Sequence, residues 1–526
     1  MATSAADSSS RSLPPSGRPA SGRTEPLPAT RVVLPALPLA VWVIAGVVLV
    51  VLLLLAGAYG FFPDEMYFVL AGRHLDFGYV DQPPLTPIVS AAMVQLLGAS
   101  PVSVRILPAF AAAIAIPLCA DMARRFGGSA RAQVLAAMLL AISGWTPAAH
   151  LDSTTTYDLL FWTIALWLLV QLLVSQDPGR NWKSWLGLGL VMGIALENKT
   201  VPVFLGVSLA GGVLLARRWE VVRARGLWVA IAIALVMWAP NLIWQAANGW
   251  PQFAMAQSIA AGQQSVTDRI GELIDLLLLP GPFVFPVAIA GLIWLVRGSA
   301  SRAWRPLGMA ALIGVGLMLI TAGKYYYAMG FIPLALAAGA IKLDGWLSHG
   351  HVRIKWSVFL PAAVSGAALL AIIGLPIGPP SHLRTADPGL AAESLAQIGW
   401  PEFANQVEGV AASLPPAQRE HAVILTQDYS VYGALSFYGQ GLPPLYSAHN
   451  SVWYWGRPPD GAAPVILAGD WSRPPPNVFT GCAVRAVVDN GLDLATPEQG
   501  TPVYVCTGTT APWSQIWPIL KHIDAS

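Results

Sequence analysis

The chain has 526 residues, of which 55% are hydrophobic and 11% charged, with 21 Trp and a mean hydropathy of +0.57. Lipid must cover much of such a surface, which excludes an ordinary soluble protein. A net charge of +2 gives nucleic-acid binding no support.

Residues 1–31, rich in Ser, Pro, Arg and Ala, hold too little apolar surface to fold and read as a disordered cytoplasmic tail. The stretch 34–57 is too long for a signal-peptide core and lacks a small-residue cleavage site, so it is the first membrane span. Further stretches able to cross a bilayer lie near 103–122, 131–149, 158–174, 184–198, 201–216, 226–246, 274–296, 306–322, 328–341 and 356–376. The expected fold is a polytopic α-helical membrane domain, 32–376, of about eleven spans. An apolar stretch at 85–98 is too short to cross and should lie along the interface.

Lys and Arg mark cytoplasmic helix ends. With the N-terminus inside, nineteen basic residues before position 377 fall on one side and five on the other: Arg73, Arg105, Lys199, Arg269 and Lys324. The N-terminus is therefore expected in the cytoplasm and the C-terminal part outside. A basic residue kept outside against this bias is a candidate for holding an anion, set against an ordinary solvated or snorkelling side chain.

Beyond 376 the composition changes. Short β-type runs at 422–426, 464–468 and 503–506 alternate with helix-like stretches at 390–413 and 429–438, which predicts an extracytoplasmic α/β domain over 377–526. Cys482 and Cys506 can pair there in an oxidising compartment, whereas Cys119, inside a span, suits small apolar packing.

Chemistry collects at the outer face. Asp64 and Glu65 stand together just past the first span, where unpaired carboxylates are costly unless they are used. Their competing role is the N-cap and first turn of a helix starting at Met66. The same loop holds Arg73, His74, Asp76, Asp81 and Gln82; a second external loop brings His150, Asp152 and Asp158; later turns bring Lys199 and Lys324 with Tyr325, Tyr326 and Tyr327. Acids and cations on one face suit a reaction in which a carboxylate takes a proton from an acceptor hydroxyl while cations hold a departing lipid phosphate. Asp152 also fits a turn, and Asp158 a helix cap. His74, His150 and His449 lack metal-ligand spacing. Trp453 and Trp455, spaced to share one face of a strand, suit stacking on a sugar ring or apolar packing on the membrane.

An ordered set of fragments carries a resemblance: Pro63-Asp64-Glu65-Met66-Tyr67, Gly78-Tyr79-Val80-Asp81-Gln82-Pro83-Pro84-Leu85, Tyr157-Asp158-Leu159-Leu160-Phe161-Trp162, Asn198-Lys199, Pro240-Asn241-Leu242-Ile243-Trp244 with Asn248-Gly249-Trp250-Pro251, and Lys324-Tyr325-Tyr326-Tyr327. From about 35 to 345 the chain resembles the bacterial protein O-mannosyltransferase and aminoarabinose transferase group of GT-C glycosyltransferases. The resemblance implies a polytopic enzyme of the bacterial plasma membrane that moves a sugar, with inversion, from a polyprenyl monophosphate donor to an extracytoplasmic glycan, lipid or protein acceptor. It implies Asp64 as the catalytic acidic residue with Glu65 as its companion and Asp158 as a second acidic position. Lys199, Lys324 and Tyr325 or a neighbouring tyrosine such as Tyr326 would lie near the donor phosphate. Where the aminoarabinose transferases place lysine before Pro-Pro this chain has Gln82, for which Arg73 is the candidate replacement; Asp152, Trp453 and Trp455 remain acceptor or sugar candidates. The run Phe437-Tyr438-Gly439, with Tyr446 to Gly456, is similar to the tail of bacterial members whose acceptors differ.

Such a step requires no obligatory cofactor, because cationic side chains can neutralise a monophosphate ester; Asp64, Asp158 and Asp152 would also suit a divalent cation. A lipid-linked sugar flippase is the competing class. Transporters generally place polar residues at the midplane of repeated halves, whereas this chain clusters them at one face without a half-chain repeat.

Overall fold

A computed structural model describes residues 35–174, 181–263, 265–471 and 474–524. Leu37–Ser526 form one compact unit. Each of the eleven apolar stretches contains a helix. By length and composition six can cross a bilayer: Pro101–Arg125, Thr154–Val174, Arg225–Ala247, Arg302–Ile320, Met329–Ser348 and Val352–Gly374. Leu39–Leu55, Ala130–Ala141, Pro202–Leu215 and Phe285–Arg297 are apolar but shorter, as is Leu85–Leu97, which stands where an interfacial helix was expected.

The stretch 274–296 is not one helix. Helix Val266–Leu278 ends before Pro280-Gly281-Pro282, and Phe285–Arg297 begins afresh. Neither proline can donate a helical hydrogen bond, and Gly281 takes φ +96°. The stretch 131–149 is likewise divided, at Gly144. A Cβ there would lie 2.3 Å from the Leu279 carbonyl oxygen, which accepts from the Gly144 N–H.

Small residues let the central helices approach closely. Ala109, Ala112, Ala115, Ile116, Cys119 and Ala120 of Pro101–Arg125 are buried against Leu39–Leu55, Ala130–Ala141 and Thr154–Val174. The outer surfaces stay apolar: Leu54 is 77% exposed, and Ile354, Val358, Val364 and Ile372 of Val352–Gly374 also face outwards. Contiguous exposure of that kind needs lipid. The protein is a multi-pass membrane protein.

The C-terminal region is built on β1 (Val423–Thr426), β2 (Leu445–Ser447), β3 (Val465–Ala468), β4 (Phe479–Thr480), β5 (Ala483–Val487), β6 (Pro502–Cys506) and β7 (Gly508–Thr509). The main sheet runs β2-β1-β3-β6-β5, with β1 parallel to β2 and β3 and the rest antiparallel; β4 and β7 form a separate pair. Both faces of β1 and β3 are buried, which explains their unbroken apolar runs. A disulfide joins Cys482, just before β5, to Cys506, at the end of β6. Cys119 is free and buried.

Helix Pro63–Arg73 joins the two parts. Met66 and Val69 share a core with Phe403, Val407, Ile424, Val431 and Ile466. The change of architecture near residue 377 is thus no break in packing.

One ion pair fixes this junction. Arg105 Nε and Nη2 donate to the two Glu65 carboxylate oxygens at 2.8 Å each, and the side chains are 1% and 0% exposed. The guanidinium also donates to the carbonyls of Ala56 and Gly60 and to Gln397, while Glu65 accepts from the N–H groups of Phe62 and Asp152. Gly60 allows the approach, since a Cβ there would lie 2.5 Å from the Gln397 carbonyl oxygen. A doubly hydrogen-bonded, fully partnered pair can offset its desolvation, but removing one partner leaves a buried charge. Arg105→Met should therefore destabilise the protein by about 3–5 kcal/mol, with Glu65→Gln/Arg105→Met recovering part of the loss. Thermal unfolding of the detergent-solubilised variants checks this; additive losses would contradict the pairing.

Candidate active site

A cavity of about 510 Å³ lies where helix Pro63–Arg73, the ends of several spans and the C-terminal sheet meet. Asp64 lines it. Phe62 caps the helix with extended backbone, Pro63 supplies the preset first position, and Asp64 and Glu65 follow in the first turn. Consecutive helical residues point about 100° apart, so Glu65 turns into the protein while Asp64 faces the cavity. The adjacent acids thus separate in role, and Glu65 is spent on Arg105 and two backbone amides.

Tyr429 donates its hydroxyl to Asp64 at 2.8 Å. Burial lifts the Asp64 carboxyl above its ordinary range, while the Tyr429 bond and Lys199 oppose the rise. Burial likewise keeps the Tyr429 phenol protonated, so it remains a donor. Asp81 enters the wall beside it, taking hydrogen bonds from Tyr67 at 2.6 Å and Ser451 at 3.4 Å. Burial pushes Asp81 up to about 6.

Lys199 follows helix Trp182–Asn198 and also lines the cavity. Its ammonium donates to Thr155 at 2.9 Å and sits 4.5 Å from the centre of the Tyr326 ring. The charges that bear on it are those of Asp158 and Asp64, which support the protonated form against burial. Asn198 steadies the turn by accepting from Thr86 and donating to the Thr154 carbonyl. Tyr326 and Tyr327 both line the cavity; Tyr325 instead donates its backbone N–H to Glu272, which pairs with Lys324 at 3.5 Å. Lys324 faces a smaller adjoining cavity of about 370 Å³ with Asp428, His522 and Asp524.

Other expected residues lie elsewhere. Asp158 is 5% exposed, one turn inside helix Thr154–Val174, near Lys199 but behind the cavity wall. Asp152 is fully buried and accepts from Ser90 and Tyr157. Arg73 is exposed, with its guanidinium 5.6 Å from the Phe437 ring centre, so it does not replace a cation at position 82. Residues 450–455 form a 3-10 helix instead of a strand, so Trp453 and Trp455 do not share a strand face. Trp455 stacks on His74 at 4.5 Å and contacts Tyr67 and Tyr432, and Trp453 donates to the Trp517 carbonyl; both serve packing.

Composition and local motifs left unmarked what the C-terminal region contributes: Asp428, Tyr429, Ser430, Asn450, Glu498 and Asp524 line the cavity. The available signal was topological. Residues 428–430 and 450 follow the carboxyl ends of parallel strands β1 and β2, where open α/β sheets form their crevices. Asp428 caps helix Tyr429–Tyr438 by accepting from the Val431 N–H.

Among the described residues, His449, His522 and Asp524 form the group whose potential metal-ligating atoms lie within 4.8 Å of one another. His449 Nδ1 accepts from the Tyr429 N–H at 3.2 Å, which assigns the ring proton to Nε2, 3.0 Å from Asp524. Its ring stacks on His522 within 9° of parallel, with 4.8 Å between ring centres. These contacts tie the segment at 521–524 to 448–450. A cation here would have to displace the Nε2 proton.

Part of the sequence and the fold are similar to those of known proteins. Residues 81–244 match the family model described as dolichyl-phosphate-mannose-protein mannosyltransferase. ArnT from Cupriavidus metallidurans in the apo state matches with a TM-score of 0.59 at 15% identity, over 88% of this chain and 97% of that one. The same protein bound to undecaprenyl phosphate gives a TM-score of 0.56 at 15% identity and the same coverage. A comparison with curated proteins found no match. The resemblance carried by the sequence fragments therefore extends to the fold.

Asp152 provides a pH test of the buried cluster. Burial pushes its carboxyl up to about 7, against hydrogen bonds from Ser90 and Tyr157 and the charge of Arg105. Its folded-state value lies above the unfolded one, so its contribution to stability is full below about pH 4 and is lost as the pH rises towards 7. Asp152→Asn should flatten that segment of the stability curve, as read by thermal unfolding across the window. An unchanged slope would argue against a buried, protonated Asp152.

Proposed function

We propose that the protein transfers a sugar, mannose or another monosaccharide, from a polyprenyl monophosphate donor to a hydroxyl acceptor at the extracytoplasmic face of a bacterial plasma membrane. The observation that carries this reading is the placement of Asp64, held by Tyr429, and Lys199, seated on Tyr326, in the wall of one cavity. The fold of ArnT, crystallised with undecaprenyl phosphate, supports a lipid-phosphate donor.

Lys199 holds the donor phosphate, with Tyr326 fixing the amine. Asp64 accepts the proton from the acceptor hydroxyl. The hydroxyl oxygen attacks the anomeric carbon, the bond from that carbon to the phosphate oxygen breaks, and its electron pair leaves with polyprenyl monophosphate. A single displacement inverts the anomeric centre. Asp158 sustains the charge on Lys199, and Lys324 lies at the adjoining opening. Neither nucleotide nor metal is required by this balance, and a divalent cation remains optional.

Basic residues support the orientation. Arg131 pairs with Asp344, and Arg218 bonds the Ala303 carbonyl, at helix ends belonging to the loops assigned to the cytoplasm. In that orientation the sheet region over 377–526 lies outside.

Asp64→Asn should lower transfer by about 10²- to 10⁴-fold, measured as polyprenyl phosphate released from a labelled lipid-linked sugar, while undecaprenyl phosphate binding is kept or tightened. Retention of most activity would refute its role as base. In the parent protein the rate should rise with pH along a limb above the ordinary carboxylate range, because Asp64 must ionise to act. Lys199→Gln should weaken undecaprenyl phosphate binding about tenfold, as one charge-assisted contact is lost; equal affinity would remove Lys199 from the donor site.

A further inference from the structure

The cavity wall beyond Lys199 has a chemistry that the donor does not explain. Gln82 lines it and is 4% exposed, yet its amide Nε2, a donor, has no hydrogen-bond partner. Glu498 lines it as well, and its buried Oε2 is also without a partner. A buried polar group left unpaired costs about 1–3 kcal/mol, so two in one wall point to a ligand that completes them. Asp81 and Asp428 stand in the same wall. The charges that bear on Glu498 are those of Asp428 and Asp470, while those that bear on Lys199 are Asp158 and Asp64. The cavity therefore has one ammonium, Lys199, suited to phosphate, and a second part of its lining that combines an amide donor with the carboxyl groups of Asp81, Asp428, Glu498 and Asp524, Lys324 facing the adjoining cavity.

Hydroxyl groups match the second part, because each can donate to a carboxylate and accept from an amide. A phosphate or uronate there would meet more carboxyl groups than cations. We propose that Gln82 and Glu498, with Asp81 and Asp428, form the acceptor subsite, and that it takes a neutral, hydroxyl-rich glycan and rejects anionic acceptors. This rests on the transfer reading above, in which Lys199 and Asp64 serve the donor and the proton. It also gives Gln82 a role of its own: with an amide at this position, the lining between Asp81 and Pro83 selects a neutral oxygen.

The full-length protein in nanodiscs would be titrated with neutral glucose, mannose and galactose trisaccharides and with trigalacturonate, read by intrinsic tryptophan fluorescence; undecaprenyl phosphate would be titrated separately. At least one neutral trisaccharide should bind about tenfold or more tightly than trigalacturonate. Gln82→Leu and Glu498→Leu should each weaken that binding by about tenfold, since each removes one buried hydrogen-bonding group, and Glu498→Gln should restore most of it. Variants that still bind undecaprenyl phosphate are folded, so a loss confined to the trisaccharide locates the subsite. Tighter or equal binding of trigalacturonate, binding of no neutral trisaccharide, or indifference to both leucine variants overturns the proposal. Failure of undecaprenyl phosphate to bind the parent protein, with trisaccharide selectivity intact, overturns the donor reading alone.

Discussion

The Glu65–Arg105 pair is the constraint on which the site depends. It lies at the point where the chain leaves its first apolar helix, and it gathers the Ala56 and Gly60 carbonyls, the Phe62 and Asp152 amides and the Gln397 side chain around two charges. A charge this deep cannot shift without losing several hydrogen bonds, so the first turn of helix Pro63–Arg73 is fixed in rotation as well as position. Because helical neighbours diverge by about 100°, fixing Glu65 inward fixes Asp64 outward. The buried acid is thus a means of aiming the one that faces the cavity.

The same junction explains why the sheet region belongs to the site. Tyr429, which holds Asp64, opens the helix after β1, and that helix packs through Val431 on Met66 and Val69. Hydrophobic packing between helix Pro63–Arg73 and helix Tyr429–Tyr438 brings residues 365 positions apart in sequence to hydrogen-bond distance. A wall made by two architectures needs this shared core, since the polar contacts across the cavity are few and individually weak.

How much of this was legible follows from the range of each signal. Apolar runs locate helices because lipid imposes length and composition locally, and all eleven stretches contain helices; breaks at Pro280-Gly281-Pro282 and Gly144 follow from backbone chemistry that a hydropathy window averages away. The β runs at 422–426, 464–468 and 503–506 were legible because strands buried on both faces are continuously apolar. Asp64 and Lys199 could be named from short motifs, and both line the cavity. Glu65 could not be told from Asp64, because their difference is a rotation about a helix axis fixed by Arg105, forty residues away. Tyr429, Asp428 and Glu498 carry no local mark, and their placement is a property of the sheet order. Trp453 and Trp455 misled because a two-residue spacing implies a shared face only in extended backbone.

Lys199 links the two halves of the proposed reaction. Its amine is partly enclosed, and its charge is supported by Asp158 and Asp64. In the resting cavity both acids compete with a donor phosphate for that one ammonium. When Asp64 takes the acceptor proton it becomes neutral, and its share of the Lys199 field becomes available to the phosphate oxygen that is gaining charge at the same moment. Proton removal and leaving-group stabilisation then reinforce each other without movement of the backbone. In the proposed reaction Asp158, behind the cavity wall, supports the charged amine against burial. On this argument the second acid acts through the lysine, which explains why it is useful one turn below the wall instead of in it.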